Sequence, residues 1–228
     1  MKTLIVIDVQ NDFIDGALGT KEAVAVIPNI KKKIADYIAQ GDEIIFTKDT
    51  HFTKYPNLSY LNTHEGKYLP VPHCIVGTDG WEIPSDIDLP NRIHIDKSAF
   101  GWDGWSNYEE AFVTNFEEIE IIGLCTDICV ISNALILRAV RPDIDITVDA
   151  SCCAGTTPEK HNAALEIMKS CHINVIGETK KDIYPTHGKW MIKRGKRRTW
   201  GTCSNCGMHQ CAGILNYCPD CGAKMDLE

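Results

Sequence analysis

The sequence lacks any long hydrophobic run, any secretion signal and any internal repeat. No apolar stretch approaches the roughly 20 residues that a membrane-spanning helix needs, and no signal-peptide pattern precedes the apolar residues that start at Thr3. These absences argue against a membrane protein and a repeat architecture, and they predict a cytoplasmic protein.

Cysteine, by contrast, is abundant, with 11 residues in a chain of 228. Disulfides are rare in the cytoplasm, so these thiols indicate metal ligands and thiol chemistry. The composition is otherwise that of a globular protein, 44% hydrophobic and 24% charged, and the length suits one α/β domain with a small appendage.

Charge is distributed unevenly around the net value of −8. Residues 1–178 hold 14 Lys and Arg against 27 Asp and Glu, whereas residues 179–200 hold 8 against 1. An acidic body repels nucleic acid, while a basic stretch attracts it. We therefore divide the chain into a domain over residues 1–178, a basic linker over 179–200 and a cysteine module over 201–228.

Short apolar segments rich in Ile and Val alternate with helical patterns. The predicted strands are 3–8, 43–47, 92–95, 119–124, 145–149 and 173–176. The predicted helices are 28–40, which Pro28 would open, 106–116, 127–140 and 158–170. This alternation predicts an α/β fold, a parallel sheet of about six strands with helices on both faces. The long segment 50–91 has little helical period, and loops of that length usually build a site.

Three residues far apart in the chain carry the chemistry of a thiol nucleophile. Asp8 and Lys97 each end a predicted strand, and Cys129 opens a predicted helix, so all three should lie at one edge of a parallel sheet. Each alone is more simply a strand-end cap, a solvated lysine or a buried cysteine. Together they indicate a cysteine activated by a carboxylate and an ammonium group.

In a thiol amidase, Cys129 would attack a carbonyl carbon and Asp8 would pass the thiol proton to the leaving amine. Lys97 would hold the thiolate and keep Asp8 ionised. The backbone N–H groups of Cys125 and Cys129 would form an oxyanion hole, an effect worth about 3–4 kcal/mol per donor in other enzymes.

The long loop supplies candidate metal ligands. Asp49 and His51 stand at alternate positions after a predicted strand, and Glu65 and His73 follow later. Carboxylate and imidazole ligands suit Zn²⁺, Mn²⁺ or Fe²⁺. His64 is the alternative to Glu65 as a metal ligand. For the whole set, the alternative is that these are loop residues that make ordinary hydrogen bonds.

Three segments together resemble the motifs of the isochorismatase-like cysteine hydrolases, and among these the nicotinamidases. They read IDVQNDF at residues 7–13, DKSAF at 96–100 and GLCTDICV at 123–130. The resemblance covers about residues 2–178 and implies the isochorismatase-like fold, the Asp8, Lys97, Cys129 triad and a non-proline cis peptide before Cys125. It also implies hydrolysis of a small primary amide, nicotinamide above all, to an acid and ammonia through a cysteine thioester.

The resemblance extends to the metal, the substrate and self-association. It implies that Asp49, His51 and His73 hold one catalytic metal, and it favours Glu65 as the further ligand. Phe13 matches one wall of the family's pocket, but Pro70 stands where the second aromatic wall is usual. Tyr68, Trp102 and Trp105 are the candidate substitutes. Members of the family commonly form homo-oligomers, which we expect here too.

The C-terminal module contains two CxxC-Gly knuckles separated by 11 residues. Four thiolates at this spacing close a tetrahedron around Zn²⁺, and so short a segment needs such a staple to fold. The predicted ligands of this structural zinc are Cys203, Cys206, Cys218 and Cys221. The module resembles a zinc ribbon, which typical nicotinamidases lack.

Two other functions stay open at this point. The triad could serve a ureido or carbamoyl compound instead of nicotinamide. Alternatively, residues 189–228 could dock a protein or bind nucleic acid, with the hydrolase body as a scaffold; the basic side chains for that function are Lys193, Arg194, Lys196, Arg197 and Arg198. We favour a structural cap over such an adaptor.

Overall fold

The chain divides into two compact units, Met1–Glu178 and Thr179–Glu228. The computed structural model describes residues 2–53, 59–107 and 117–178 of the first unit. In the second unit it describes residues 187–188, 190–194, 199–204, 209–211 and 224–225. Among all these residues no helix has both the length and the apolar character to cross a bilayer.

The first unit is built on a sheet of six strands. The strands are β1 (Lys2–Ile7), β2 (Glu43–Asp49), β3 (Ile93–Lys97), β4 (Glu118–Leu124), β5 (Asp145–Ala154) and β6 (Asn174–Ile176). Their order is β3-β2-β1-β4-β5-β6, and every neighbouring pair is parallel. The predicted six-stranded parallel sheet is therefore confirmed. Strand β5 runs five residues further than its apolar pattern predicted.

Helices cover both faces of this sheet, as predicted. The α-helices among the described residues of the first unit are α1 (Asn11–Ile14), α2 (Lys21–Gln40), α3 (His64–Tyr68), α4 (Ile131–Val140) and α5 (Pro158–Ser170). Successive residues of β1 point to opposite faces: Leu4 packs in one cluster with Ile30 of α2, and Ile5 packs in the other with Leu137 of α4 and Leu165 of α5. Strands buried on both faces are continuously apolar, which explains the uninterrupted Ile and Val runs.

The start of helix α2 differs from the prediction. The helix begins at Lys21 and carries Pro28 in its interior, so the expected start at Pro28 is wrong. The side chain of Thr20 accepts a hydrogen bond from the backbone N–H of Ala23, a cap worth about 1 kcal/mol. Gly41 ends the helix with φ 73°, a left-handed conformation that glycine adopts without strain.

Two other predicted helices also differ in extent. The helix predicted over 127–140 begins as a π-helical turn, Thr126–Val130, and becomes α-helical at Ile131. Of the helix predicted over 106–116, residues 108–116 lie outside the described residues, and Asp103–Asn107 form a 3-10 turn. The prediction for 158–170 matches α5, where Thr157 caps the backbone N–H of Lys160.

The described residues of the second unit form five short strands. Trp190–Arg194, Thr199–Cys203 and His209–Cys211 form an antiparallel sheet, and His187–Gly188 pairs with Lys224–Met225. Three of these strands lie in or across the basic segment, residues 179–200, that we expected as a linker. Of the four predicted zinc ligands only Cys203, which is buried, is described. Cys206, Cys218 and Cys221 lie outside the described residues, so the zinc ribbon stays a prediction.

Candidate active site and metal centre

Four neighbouring strands deliver the candidate residues to one edge of the sheet. Asp8 follows β1, Asp49 ends β2, Lys97 ends β3, and Cys129 lies in the π-helical turn after β4. In the order β3-β2-β1-β4 these carboxyl ends are adjacent, and all four side chains are buried. Residues separated by up to 121 positions in the sequence therefore meet in one place.

The triad residues are within contact distance of one another. Lys97 Nζ lies 2.6 Å from Oδ2 of Asp8 and 3.6 Å from Sγ of Cys129. Asp8 has φ 47°, unusual for a residue with a side chain, and its Oδ1 accepts a 2.6 Å hydrogen bond from Thr47 Oγ1. Lys97 Nζ also lies 3.6 Å from Oδ1 of Asp49. The same ammonium group is therefore close to the other two triad residues and to one of the predicted metal ligands.

Burial dominates the electrostatics of the triad. Burial and the negative charge of Asp8 raise the pKa of the Cys129 thiol well above its usual value, and Lys97 only partly opposes them. Burial likewise raises the pKa of Asp8, although the charge of Lys97 lowers it. Desolvation by burial therefore outweighs the single nearby cation in setting the pKa of Cys129.

The predicted metal ligands form a compact cluster. One ligand atom from each of Asp49, His51, Glu65 and His73 lies within 4.8 Å of the others. Nε2 of His51 is 3.0 Å from Asp49 Oδ2, and Nε2 of His73 is 3.4 Å from both Asp49 Oδ2 and Glu65 Oε1. Glu65 is thus the member of the cluster, whereas the ring of His64 lies against Tyr68.

The surroundings hold these ligands in orientation. Nδ1 of His73 is 2.8 Å from the Val71 carbonyl oxygen, which leaves Nε2 directed at the carboxylates. The buried ring of Tyr60 packs against both imidazoles, with centroids 4.7 Å from His51 and 5.0 Å from His73. Nothing in the sequence assigns Tyr60 a role, since a lone tyrosine in a loop carries no signal of this contact.

The donor set suits a divalent transition metal. Two imidazoles and two carboxylates match Zn²⁺, Mn²⁺ and Fe²⁺. Burial alone would lower the pKa of His73, but hydrogen bonds to Asp49 and Glu65 raise it to about 10. Burial alone would raise the pKa of Asp49, yet hydrogen bonds to His51 and His73 hold it below its usual range. A metal that binds Nε2 of His73 must therefore displace a proton.

The nucleophile and the metal cluster open on the same cleft, whose volume is about 570 Å³. Cys125 and Cys129, the predicted oxyanion-hole residues, both line it, and so does Phe13. The peptide bond between Leu124 and Cys125 is cis, as the family resemblance implied. The carbonyl of Cys125 accepts hydrogen bonds from Ile128 and Val130, which directs the strand into the turn.

The cleft walls differ from those considered from the sequence. Tyr68 lines the cleft but is 80% exposed, and Phe100 contributes a second exposed ring. Trp102 and Trp105, the other two candidates, are not among the described residues that line the cleft. Trp105 is instead fully buried and donates its indole N–H to Asn133.

Sequence reasoning assigned no role to three buried or partly buried polar side chains around the site. Gln10 hydrogen-bonds the backbone of Asp49, and Asp12 accepts from the backbone N–H of Cys74, next to His73. Asn133 donates to the carbonyl of Cys129. The sequence shows only that these polar residues interrupt apolar segments. It does not reveal that their hydrogen-bond partners lie 39 or 62 residues away.

Comparison with known proteins places the chain in a family. The isochorismatase domain matches residues 2–179. The chain belongs to the isochorismatase family. This confirms the family predicted from the three motifs, and the parallel sheet agrees with it.

Characterised relatives cover most of this isochorismatase-family domain. The nicotinamidase/pyrazinamidase of Mycobacterium tuberculosis is 27% identical over 190 residues, which cover 77% of this chain and 98% of that protein. The nicotinamidase of Saccharomyces cerevisiae is 26% identical over 215 residues, covering 77% of this chain and 99% of that protein. The structure of a pyrazinamidase of Pyrococcus horikoshii in complex with zinc is similar at a TM-score of 0.64 and 25% identity, covering 78% of this chain and 99% of that one.

Proposed function

We propose that this protein is a metal-containing cysteine amidohydrolase that cleaves nicotinamide to nicotinate and ammonia. The observation that carries the proposal is a buried Asp8, Lys97, Cys129 cluster that shares one cleft with the Asp49, His51, Glu65, His73 cluster. Relatives named nicotinamidase, at 26–27% identity, support the same substrate.

The first chemical step is attack of Cys129 Sγ on the amide carbonyl carbon. The proton of the Cys129 thiol passes to the carboxylate of Asp8; both groups lie beside Lys97 Nζ. A C–S bond forms as the carbonyl π electrons move to oxygen. The backbone N–H groups of Cys125 and Cys129 stabilise that oxyanion, and the ammonium of Lys97 stabilises the Asp8 carboxylate before it takes the proton.

The second step expels ammonia and the third restores the enzyme. Asp8 returns its proton to the leaving nitrogen, the C–N bond breaks, and a thioester with Cys129 remains. Asp8 then takes a proton from water, whose oxygen attacks the thioester carbon. The C–S bond breaks, the proton returns to sulfur, and the carboxylic acid leaves.

Asp49, His51, Glu65 and His73 would hold the catalytic metal. When bound, a divalent ion supplies a Lewis acid to which the ring nitrogen of nicotinamide can bind. The chain's own contribution is to orient the ring: Phe13 lies with its ring centroid 5.5 Å from that of His73, at the inner wall of the cleft. Aromatic stacking there adds about 0.5–1.5 kcal/mol beyond area burial.

A ureido or carbamoyl amide is the second candidate substrate. The observation in its favour is the weak second wall: Pro70 stands at the sequence position where an aromatic residue was expected, and Tyr68, which does line the cleft, is mostly exposed. A flat ring would be held less firmly by such a wall than by a buried one.

A panel of small amides distinguishes these substrates. Ammonia release from nicotinamide, benzamide, an aliphatic amide and a ureido acid is measured with the metal-loaded protein. The proposal expects nicotinamide to be the preferred member of the panel. Preference for the ureido acid would move the assignment to the second candidate, and no ammonia from any amide would reject the amidohydrolase.

For the second unit we propose one structural Zn²⁺ held by Cys203, Cys206, Cys218 and Cys221. The support is the spacing of the knuckles, together with the burial of Cys203. Metal content of the full chain with all four cysteines replaced by serine should fall by one zinc per chain. An unchanged zinc content would reject this site.

A further inference from the structure

We infer that Gln10 and Asp12 are positioning residues that set the metal affinity of the Asp49, His51, Glu65, His73 cluster. The inference deepens the proposed function and rests on its metal centre. Gln10 and Asp12 lie between Asp8 and Phe13. One short segment therefore supplies a residue of the triad and two residues that support the metal cluster.

Gln10 is fully buried and uses both ends of its amide on the backbone around Asp49. Its Oε1 accepts from the N–H of Asp49 at 2.7 Å, and its Nε2 donates to the Asp49 carbonyl at 2.9 Å. The same Nε2 donates to the Trp81 carbonyl at 2.8 Å. The backbone of one metal ligand is thereby clamped from two sides, which limits where its carboxylate can lie.

Asp12 holds the segment that carries His73. Its Oδ2 accepts from the backbone N–H of Cys74 at 2.7 Å, and its Oδ1 accepts from Ala17 N–H at 3.1 Å. Cys74 has φ 46°, a conformation that costs energy in a residue with a side chain and therefore needs external support. A side chain at Gly80 would collide with the Asp12 carboxylate, so the neighbouring loop leaves room for this contact.

The two clamped segments are also joined to each other. The N–H of His51 donates to the Cys74 carbonyl at 3.0 Å, and the N–H of Val76 donates to the His51 carbonyl at 2.9 Å. Gln10 therefore fixes the end of β2, Asp12 fixes the residue after His73, and backbone hydrogen bonds keep the two in register. Groups that orient metal ligands typically change metal affinity about 10- to 100-fold when they are removed.

The test measures Zn²⁺ affinity of the full chain by competition with a chromophoric chelator. Gln10→Ala and Asp12→Ala should each weaken binding about 10- to 100-fold. Asp15→Ala removes an exposed carboxylate three residues after Asp12 and is the matched control, which should bind like the parent. His51→Ala, which lacks a ligand, identifies the signal of this cluster, because all variants share the C-terminal cysteines.

The unfolding temperature with and without Zn²⁺ separates positioning from general stability. A positioning role predicts that Zn²⁺ raises the unfolding temperature of the two variants less than that of the parent, because weaker binding stabilises less. If Asp12→Ala does not fold, Asp12→Asn, which keeps one acceptor oxygen, replaces it and should show an intermediate affinity.

Variants that bind Zn²⁺ as tightly as the parent would overturn the inference, and so would an equal zinc-induced rise in unfolding temperature. Neither measurement uses an amide. A parent protein that bound Zn²⁺ more tightly than its variants but left every amide intact would reject the proposed function and keep the positioning role.

Discussion

The ammonium nitrogen of Lys97 lies 2.6 Å from Oδ2 of Asp8, and both side chains are buried. A buried ion pair needs both partners, because the removal of one leaves an uncompensated charge in the interior. Here the Lys97 ammonium also lies 3.6 Å from Sγ of Cys129. The ion pair that stabilises the two buried charges therefore also places Asp8 and Lys97 beside the proposed nucleophile.

Asp8→Asn should reduce kcat about 10²- to 10⁴-fold, because an amide cannot carry the proton from the thiol to the leaving nitrogen. The same change should also lower the free energy of unfolding, since Lys97 loses the nearer of its two carboxylate partners and keeps only Asp49 at 3.6 Å. Ammonia release and chemical denaturation measure the two effects. The exposed Asp15→Asn is the control, and an Asp8→Asn enzyme with the parent's kcat would remove Asp8 from the mechanism.

Cys129→Ala should abolish turnover while the fold is kept, because it removes the sulfur that bonds to the carbonyl carbon. Cys125→Ala is the matched control: it removes a thiol from the same cleft but keeps the backbone N–H, and most of the turnover should remain. Circular dichroism checks the fold of both. Near-parental ammonia release by Cys129→Ala would end the thiol mechanism.

Glu65→Gln should weaken metal binding and lower the metal content after dialysis, because it removes a charged ligand from the cluster. His64→Gln changes the neighbouring residue, whose ring contacts Tyr68 and lies outside the cluster, and should retain the parent's metal. Elemental analysis after dialysis against a chelator compares the two. A greater loss in His64→Gln would exchange the ligand assignment.

A network away from the site predicts the response to acid. Lys33 Nζ pairs with Glu120 at 2.6 Å and with Asp149 at 2.9 Å, in a largely buried position. Burial alone would raise the pKa of Asp149, but hydrogen bonds from Ser151 and Lys33 lower it below the usual 3.8. A lowered pKa in the folded state contributes stability above pH 3.8 that is lost as the pH falls through the folded value.

Lys33→Met should therefore lower the free energy of unfolding at pH 7 by about 1.5–3 kcal/mol, the range for hydrogen bonds to charged groups, and by less at pH 3. Lys32→Met breaks an exposed pair with Asp36 on the same helix and should cost no more than about 0.5 kcal/mol. Urea unfolding at the two pH values compares them. An equal loss for Lys33→Met at both would contradict the role of Asp149.

The arrangement of the site could be predicted from the sequence where it depends on strand ends. Asp8, Lys97 and Cys129 stand beside apolar runs, and the edge of a parallel sheet is a geometric consequence of alternating strands and helices. The start of α2 could not be predicted in the same way. A proline favours the first turn of a helix, so Pro28 indicated a start there, whereas the helix begins after Thr20, whose side chain caps it.

Partners of buried polar side chains could not be predicted in the same way. Asn133 donates to the carbonyls of Cys129 and Phe100 and accepts from Trp105, so it joins the nucleophile to the loop after β3. These contacts depend on which loops meet in space. Composition and periodicity do not contain that information. For this reason the sequence leaves Trp105 a candidate for the cleft wall, whereas the structure buries it in the core.

The central claim is hydrolysis of nicotinamide by this cleft, and the most direct test is to quantify nicotinate and ammonia formed from nicotinamide by the metal-loaded protein. We expect the two products in equal amounts, with benzamide a poor substrate because its ring lacks the nitrogen that the proposed metal would bind. Nicotinamide left intact under conditions in which another amide is cleaved would contradict the account and confine the function to that other amide.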